Sequence, residues 1–368
     1  MSSGKHFLVA PLDWGLGHAA RCIPVVRTLL DQGHEVMLGG SGASLQLLVS
    51  EFPALPVLRL PAYRVTYARD SKQFAWHLIK QVPRFIRVVR EEHSILSELV
   101  SSGRIDCVIS DNRPGLWNRS IPSFYITHQL RVVSGLLTPI ATAVHRLCMS
   151  RFRESWIVDR PRPHGLAGAL SYKDQYSGLN TRHIGLLTRM RPMMRIDRHY
   201  DVTAILSGPE PARSRFETQI RNMFQGTQYK VLIVCGVVED SQTFGVQGNI
   251  KTYNYLTQEG LEQAISRSKR IICRAGYTSL MDLAEVDVPT LFVPTPGQTE
   301  QEYLARRLVR KQWGTACSQD DLSIAAILNC QPLHIPAAVY SPSLSSIISD
   351  ALSSVNENSD PMPGALST

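Results

Sequence analysis

Short apolar runs alternate with amphipathic stretches along the first half of the chain. The runs predict strands at 7–10, 36–39, 57–60, 107–110 and 123–127. Between them apolar residues recur at helical spacing, most clearly in a long stretch over 73–100. Strands that are apolar throughout and separated by helices are typical of a parallel sheet covered on both faces.

The same alternation returns after a Pro-rich stretch, Arg160-Pro-Arg-Pro-His-Gly165. Further strands are predicted at 202–206, 230–235, 270–273 and 290–293, with helices at 214–224, 278–285 and 300–311. We interpret the Pro-rich stretch as the visible part of a linker within 160–200. The predicted fold class is α/β, with two doubly wound parallel sheets whose strand-end loops face each other across a cleft.

Length and composition agree with two folded domains. A chain of 368 residues exceeds one ordinary core, and 43% hydrophobic residues with 19% charged residues exclude a disordered chain. No window approaches ~18 uncharged apolar residues, which excludes a membrane span. The apolar run after Lys5 ends at Asp13, too early for a secretory signal. The seven cysteines form no C-x-x-C pair, so we interpret them as buried thiols and expect a cytoplasmic location.

Most of the net charge of +8 comes from one segment. Residues 146–198 contain eleven Lys or Arg against four Asp or Glu. Interleaved with Trp156, Met190, Met193 and Met194, these cations suit an anionic membrane surface or phosphate groups, and a solvated surface is the alternative. We expect a peripheral contact with the inner face of a membrane through this segment. No RNA- or DNA-binding motif is present, so we expect no nucleic-acid partner.

The first candidate site follows the first strand, where Gly15-Leu-Gly17-His18-Ala-Ala-Arg21 opens a helix. The pattern G-x-G-x-x-A also occurs in dinucleotide folds, but those need an acid after the second strand, and Met37-Leu-Gly-Gly-Ser has none. The glycines would instead let the backbone approach a polar ligand. A helix dipole lowers the pKa of a histidine at this position, so His18 is a candidate general base; the alternative is that it has no chemical role.

Polar residues also follow two neighbouring strands. Asp111 comes after the fourth predicted strand, and His128 and Gln129 come after the fifth. Because the carboxyl ends of parallel strands meet at one edge of the sheet, these side chains are placed to bind a substrate or to orient His18. Taken alone, a strand-end Asp is more often a helix cap.

In the second half, Ser207-Gly208-Pro-Glu-Pro follows a strand and opens a helix, a turn that presents N–H groups to a phosphate. Its two prolines lack N–H groups, so this turn offers a phosphate fewer donors than a Gly-rich loop would. The Ser207 hydroxyl could replace one of the missing donors. Thr295-Pro-Gly-Gln298-Thr-Glu-Gln301 follows a later strand, and its amides suit sugar hydroxyls.

The sharpest motif is Cys273-Arg274-Ala-Gly276-Tyr277-Thr278-Ser279-Leu-Met-Asp282. Gly276 allows a ligand to approach closely, and the free N–H groups of the first helical turn point outward. Thr278 and Ser279 are suited to capping that turn. Asp282 can accept hydrogen bonds from two ribose hydroxyls, or it only complements the helix dipole.

Together these motifs resemble those of GT-B glycosyltransferases of the family 28 type, the group of the N-acetylglucosaminyltransferase in the lipid-linked step of peptidoglycan synthesis. The resemblance covers roughly residues 5 to 340. The segment from His183 to Arg189 is similar to one whose arginine contacts the donor pyrophosphate. The segment from Arg274 to Asp282 is similar to the donor-site helix whose acid holds the ribose, and Gln301 matches a glutamine that holds the donor sugar.

Three departures from the family pattern stand out. Ser207-Gly-Pro-Glu-Pro replaces the usual Gly-rich phosphate loop, which changes the geometry expected for the donor. Asp282 is shorter than the usual Glu. Leu186 and Leu187 stand where the close relative has polar and proline residues, so we expect a different acceptor lipid.

The resemblance implies a GT-B architecture of two Rossmann-like domains, an acceptor side over 1–180 and a donor side over 181–340, followed by a return helix and frayed tail over 341–368. It implies an inverting transfer of a hexose-type sugar from a nucleotide-diphospho sugar, most often a UDP sugar, to a hydroxyl of a cell-envelope or lipid-linked glycan. No metal-ligand pattern is visible in the sequence, so we expect no metal ion and no cofactor beyond the nucleotide-sugar substrate.

The implied residues fall into three sets. His18 and Asp111 are the catalytic residues, with Gly15, Gly17, Arg21, His128 and Gln129 on the acceptor side. The donor set is Arg189, Ser207, Gly208, Arg274, Gly276, Tyr277, Thr278, Ser279, Asp282, Gln298 and Gln301.

Two other classes share the architecture. A non-hydrolysing UDP-sugar 2-epimerase needs several acids and histidines around the sugar, and Asp111, His128 and Asp282 do not obviously form that set. A catalytically silent nucleotide-sugar-binding protein remains the alternative if His18 is misplaced.

Overall fold

A computed structural model gives the fold of the chain. It describes residues 4–63, 74–133, 138–172, 178–191, 198–239, 241–336 and 343–357. Two seven-stranded sheets, each covered by helices, account for most of these residues.

The first sheet is parallel throughout, in the order β3-β2-β1-β4-β5-β6-β7. Its strands are β1 (His6–Pro11), β2 (Glu35–Gly40), β3 (Val57–Arg59), β4 (Cys107–Asp111), β5 (Ser123–Thr127), β6 (Glu154–Ile157) and β7 (Thr181–His183). Its helices are α1 (Leu16–Asp31), α2 (Gly42–Glu51), α3 (Phe74–Ser101) and α4 (Thr138–Met149), and a 3-10 turn covers Gly168–Leu170. The central strands β4 and β5 are buried along their whole length, as their apolar runs predict.

The second sheet has the order β10-β11-β9-β8-β12-β13-β14. Its strands are β8 (Val202–Ile205), β9 (Val231–Val234), β10 (Phe244–Gln247), β11 (Ile250–Tyr253), β12 (Ile271–Cys273), β13 (Thr290–Phe292) and β14 (Thr315–Ala316). Its helices are α5 (Ala212–Phe224), α6 (Gln258–Ser266), α7 (Tyr277–Ala284), α8 (Thr299–Arg310) and α9 (Ile324–Leu328). Only the exposed edge strand β10 runs antiparallel among the strands described.

The α/β fold class with two parallel sheets is confirmed, and the position of the linker is corrected. The Pro-rich stretch at 160–165 precedes β7, so it lies within the first domain. Asp159 holds this loop, since its carboxylate accepts hydrogen bonds from the N–H groups of Leu166 and Ala167. The connection between the two sheets therefore lies between β7 and β8, at 184–201. The domain limits at 180 and 340 stay predictions.

The last described helix, α10 (Leu344–Glu357), returns to the first domain. It packs against α1, and the Gln32 amide donates to the Ser345 carbonyl at 2.8 Å. One buried apolar cluster joins Leu29 of α1, Met281 of α7 and Ile348 of α10. The two domains therefore share part of one core. The tail over 358–368 lies outside the described residues.

Candidate active site

The strand-end loops of the two sheets meet where α7 begins. The Thr278 hydroxyl donates a hydrogen bond to the Gly17 carbonyl at 3.1 Å, and the Tyr277 hydroxyl donates to the Val158 carbonyl at 2.6 Å. Both contacts cross from the second domain to the first. The cleft predicted from the sequence is therefore lined by the carboxyl ends of strands from both sheets.

Glycine is required at positions 15 and 17 of the first loop for two different reasons. Gly15, at the start of α1, has a φ of 119°, a backbone conformation that residues with a side chain rarely adopt. A Cβ at Gly17 would lie 2.9 Å from the Thr278 hydroxyl oxygen. Gly15 therefore allows the loop to turn, and Gly17 allows Thr278 of the second domain to approach the backbone closely.

Asp111 and Arg21 form a fully buried pair at the base of this loop. Both the Nε and the Nη2 of Arg21 donate to the Asp111 carboxylate, with the Nη2–Oδ1 distance at 2.5 Å. The Asn112 amide donates to the same Oδ1 at 3.0 Å. Although burial alone would raise the pKa of Asp111, the adjoining charge of Arg21 lowers it below its ordinary value. Asp111 is therefore held as a carboxylate.

His18 lies against this pair, with its Nδ1 at 2.9 Å from Asp111 Oδ1 and 2.6 Å from Arg21 Nη2. Burial and the charge of Arg21 lower the pKa of His18 below 6.5, so the ring is neutral at pH 7. His18 Nδ1 can either donate to Asp111 or accept from Arg21 Nη2, which has only protons to give. In the tautomer in which Nδ1 carries the proton and donates to Asp111, Nε2 has a free lone pair. No described residue bonds to Nε2, and the side chain is 18% exposed. The arrangement suits a general base.

His128 and Gln129 meet a residue that the sequence analysis did not single out. Their side chains contact the two carboxylate oxygens of Glu300 on α8, at 3.0 Å from His128 Nε2 and 2.5 Å from Gln129 Nε2. The signal available was position alone, because Glu300 directly precedes Gln301. Its role depends on the other domain, which no local pattern reports.

On the donor side, Arg274 follows β12 and is fully buried without a carboxylate partner. Its Nη groups donate to the carbonyls of Ala212, Val293 and Pro294 at 3.1–3.4 Å, and its guanidinium lies 3.9 Å from the centre of the Phe216 ring. Its Nε has no hydrogen-bond partner among the described residues. Burial lowers the pKa of Arg274 to about 10, so the group still carries its charge at pH 7.

Further unpaired groups follow the neighbouring strands. After β13, Thr295 Oγ1 and Gln298 Oε1 are buried and have no partner in the described part of the chain. After β8, Gly208 has a φ of 103°, and a Cβ there would lie 4.0 Å from Thr295 Oγ1. Ser207 and Gly208 are therefore brought to the same edge of the sheet as Arg274. Gln301 instead holds the loop, since its Oε1 accepts from the Thr295 N–H at 2.7 Å.

Helix α7 begins at this edge after Gly276 and has no side-chain cap. The N–H groups of Tyr277, Thr278 and Ser279 have no backbone acceptor among the residues described, so the first turn presents donors to the cleft. The Tyr277 ring stacks on His128 with centroids 4.6 Å apart. Tyr277 thus packs across the cleft, and its contact with a donor stays a prediction.

Asp282 and Arg189, which were both predicted as donor contacts, bind each other. Arg189 Nε donates to Asp282 Oδ2 at 3.0 Å, while the Arg189 N–H and the Thr188 hydroxyl both donate to Oδ1 at 3.2 Å. Burial raises the pKa of Asp282 despite the charge of Arg189. Their roles toward ribose and pyrophosphate stay predictions.

One interpretation of the basic segment is wrong. Trp156 and Met190 were expected on the surface, but they are 1% and 4% exposed, because Trp156 lies in the buried strand β6 and Met190 in the shared core. Met193 and Met194 lie outside the described residues. Across the described ranges, no cluster of three or more His, Cys, Asp or Glu is arranged to hold a metal ion. No helix within them is long and apolar enough to cross a bilayer.

The family comparison agrees with this division of the site. Residues 211–330 match the glycosyltransferase family 28 C-terminal domain. This range begins at α5 and includes Arg274, α7 and Gln301. It leaves out Arg189, Ser207 and Gly208 of the predicted donor set, and it includes none of the first-domain residues around His18.

A curated relative from Bifidobacterium longum is 35% identical over 78 residues, which is 21% of this chain and 19% of the relative. It is a UDP-N-acetylglucosamine–N-acetylmuramyl-(pentapeptide) pyrophosphoryl-undecaprenol N-acetylglucosamine transferase. This chain therefore matches about a fifth of the length of its curated relatives.

Solved structures match nearly the whole chain. The glycosyltransferase of kitacinnamycin has a TM-score of 0.60 at 14% identity, covering 97% of this chain and 95% of that one. MurG of Acinetobacter baumannii has a TM-score of 0.50 at 15% identity, covering 88% of each. The chain therefore has the GT-B fold. The resemblance to family 28-like GT-B glycosyltransferases is confirmed, with the direct family match on the second domain.

Proposed function

We propose that the protein is an inverting glycosyltransferase that moves a hexose-type sugar from a nucleotide-diphospho sugar to an acceptor hydroxyl. The observation that carries this proposal is the pairing of two walls across one cleft. One wall holds a neutral histidine on a buried carboxylate, and the other holds an arginine with no counter-ion beside the open N-terminus of α7.

In the proposed reaction, the acceptor oxygen attacks the anomeric carbon of the donor sugar. His18 Nε2 takes the hydroxyl proton, a new C–O bond forms, and the bond from the anomeric carbon to the diphosphate oxygen breaks. The nucleoside diphosphate leaves with that electron pair. In-line attack on the opposite side of the sugar inverts the anomeric centre.

Arg274 and the first turn of α7 would stabilise the charge that develops on the diphosphate. A buried cation gains most from such an anion, because the surrounding dielectric is low and the cation has no other partner. Positive charge already present at this position would perform the task that a divalent ion performs in other transferases. We therefore propose a reaction without a metal ion.

The UDP sugar is the preferred donor in this proposal, because the curated relative is named for UDP-N-acetylglucosamine. A lipid-linked or envelope glycan is the proposed acceptor on the same ground. Asp282 and Arg189 would contact the ribose and pyrophosphate after their mutual ion pair rearranges. The epimerase stays less favoured, since His18 and Asp111 face each other and Asp282 is bound to Arg189.

A thermal-shift panel of nucleotides and nucleotide sugars tests the donor site. We expect a nucleoside diphosphate to stabilise the wild type with or without EDTA, and Arg274→Met and Asp282→Ala to lose most of that shift. Arg270→Met is the matched control, because Arg270 precedes β12 at the opposite end of the same strand and donates to the Leu328 carbonyl. If no nucleotide stabilises the wild type, the transferase proposal fails.

A membrane-bound acceptor would require a docking surface, which we propose on α3 and α4. Ile140, Val144 and Leu147 recur along one face of α4 and are 65%, 52% and 60% exposed. Val82 and Ile86 on α3 are 49% and 44% exposed. The two helices approach the same side chain, Trp117, which stacks on His93 of α3 and lies beneath Arg151 just after α4.

The charges around these apolar residues have one sign. Residues 82–90 and 131–153 contain arginines and no Asp or Glu. An apolar helix face with a cationic rim fits the headgroup region of an anionic bilayer. The proposed contact thus moves from the predicted 146–198 to a surface that overlaps it only at the end of α4 and the arginines beyond it.

Sedimentation with vesicles tests this surface. We expect binding to phosphatidylcholine vesicles containing about 30% phosphatidylglycerol at low salt, weak binding to phosphatidylcholine alone, and loss of binding in Val144→Asp. Phe244→Asp, on the exposed strand β10, is the control. Equal binding of both variants, or none by the wild type, contradicts the membrane contact and leaves the donor-site result untouched.

A further inference from the structure

Five charged or polar side chains form a continuous chain of contacts across the cleft, from Glu300 on α8 of the second domain to the His18–Asp111 dyad of the first. Glu300 contacts His128, His128 contacts Arg21, and Arg21 holds Asp111 beside His18. His128 is 8% exposed and Arg21 is 1% exposed. The chain is therefore shielded from water along most of its length.

The chemistry of these partners fixes the tautomer of His128. Arg21 has only donors, so its Nη1, 3.0 Å from His128 Nδ1, must donate to a ring nitrogen that carries no proton. The proton of the neutral ring is then on Nε2, which donates to the Glu300 carboxylate at 3.0 Å. One tautomer of an uncharged histidine satisfies both contacts.

The second domain contacts both the face and the edge of the His128 ring. Tyr277 of α7 stacks on His128 with an angle of 6° between the rings, and the Gln129 amide donates to the other oxygen of Glu300. With its Nη1 bound to His128, Arg21 presents its Nε and Nη2 to Asp111 and lies against His18. The contacts of Arg21 with Asp111, His18 and His128 lie within the first domain, and those of Glu300 and Tyr277 with His128 exist only when the two domains meet.

We propose that Glu300 is a positioning residue: by accepting a hydrogen bond from the Nε2–H of His128 when the cleft closes, it orients Arg21 on Asp111 and so prepares His18 as the base. This inference rests on the proposed function. It adds that closure of the two domains sets the orientation in which His18 can act as the base. The charged and titratable groups that face His18 are Arg21 on α1, Asp111 on β4 and His128 after β5, with Glu300 beyond His128. Water and donor would then enter before the base is in place.

The test compares Glu300→Ala, which removes the acceptor, with Glu300→Gln, which keeps an acceptor oxygen. Glu302→Ala is the matched control, because Glu302 lies on the same helix and accepts only from the Gly297 N–H. ¹⁵N NMR of histidine-labelled protein, assigned with His128→Gln, reports the tautomer without turnover. We expect the Nε2–H tautomer of His128 in the wild type and Glu302→Ala, a mixture in Glu300→Ala, and recovery in Glu300→Gln.

Kinetics supply the second readout. In Glu300→Ala we expect kcat to fall about tenfold with the donor KM within about twofold, and the acid limb of the pH profile to move. An unchanged tautomer overturns the proposal, as does a rise in donor KM alone, which would make Glu300 a direct sugar ligand. If the wild type transfers no sugar, the proposed function fails, whereas the tautomer result still decides whether Glu300 fixes His128.

Discussion

The two walls of the cleft differ in the partners of their buried arginines. On the first-domain wall, Arg21 donates to both oxygens of Asp111, and behind it the Nε of Arg113 donates to Glu92. On the second-domain wall, Arg274 is equally buried, and its hydrogen bonds to the described residues all go to carbonyl oxygens. Thr295 and Gln298, after β13, add polar atoms that have no partner among those residues.

An unpaired buried cation is costly, because desolvation is not offset by a counter-ion. Such an arrangement persists where a ligand supplies the missing charge. The buried cations of the first wall thus have their counter-ions within the protein, whereas Arg274 would gain one from the diphosphate of the proposed donor. In the proposed reaction, this difference matches proton transfer on the first domain and charge neutralisation on the second.

The largest expected effect comes from removing the base. His18→Gln should lower the transfer rate by roughly 10²- to 10⁴-fold, the usual contribution of a positioned general base. Steady-state kinetics measure this loss, and nucleotide-induced stabilisation should persist because the second wall is intact. His34→Gln is the control, because His34 directly precedes β2 and therefore lies at the opposite end of the parallel strands. A variant that keeps more than a tenth of the activity would remove His18 from the mechanism.

The stability of the two walls should also differ. Arg113→Met leaves Glu92 buried without its cation and should lower the free energy of unfolding by about 3–5 kcal/mol. Burial already raises the pKa of Glu92, and only its hydrogen bonds from Tyr63 and Gly115 would remain. Arg274→Met should cost little or raise stability, because it removes an unpaired charge.

Urea unfolding of both variants measures the difference in the free energy of unfolding. Arg270→Met, at the opposite end of β12 from Arg274, is the control. Equal losses in Arg113→Met and Arg274→Met would show that Arg274 is a structural residue, and the second wall would then no longer be an anion site.

The pH dependence follows from the lowered pKa of His18. A base acts only when unprotonated, so activity falls as pH drops through its pKa. Burial and the charge of Arg21 lower that pKa from its ordinary value of 6.5, so the acid limb of kcat/KM should be centred below pH 6.5. An acid limb centred above 6.5 would contradict the role of Arg21 beside His18.

The smallest effect is expected at Thr295. Thr295→Val removes an unpaired hydroxyl and should weaken nucleotide binding by about 1 kcal/mol, with stability unchanged. Thr290→Val, at the other end of β13, is the control, since it loses a hydrogen bond to the Val288 carbonyl and should affect stability without affecting the nucleotide. Calorimetric titration with a nucleoside diphosphate measures the difference.

Most residues that the structure brings to the cleft were predictable from the sequence, because strand ends are local features. The apolar runs end before the loops that carry His18, Asp111 and Arg274, and parallel strands bring such ends together. The hydroxyl contact of Thr278 with Gly17 and the pairing of Glu300 with His128 were not predictable, since each joins residues from different domains. A single helix or strand pattern does not report its distant partner.

The surface was harder to predict than the core. Composition places Trp156 in a basic segment but does not say which face of β6 is buried. The short strands β6, β7 and β10 lack the long apolar runs of the central strands, so their pairing was not predicted either. Edge strands are specified by their neighbours more than by their own residues.

Helix α10 changes how this protein must be divided in any engineering experiment. Because α10 packs on α1 after the second domain is complete, the second domain is inserted in the chain of the first. A recombinant fragment that stops after β7 lacks the cover of α1 that Ile347 and Ile348 supply. Exchange of the second domain for that of another GT-B protein therefore needs two junctions, one at 184–201 and one before Leu344.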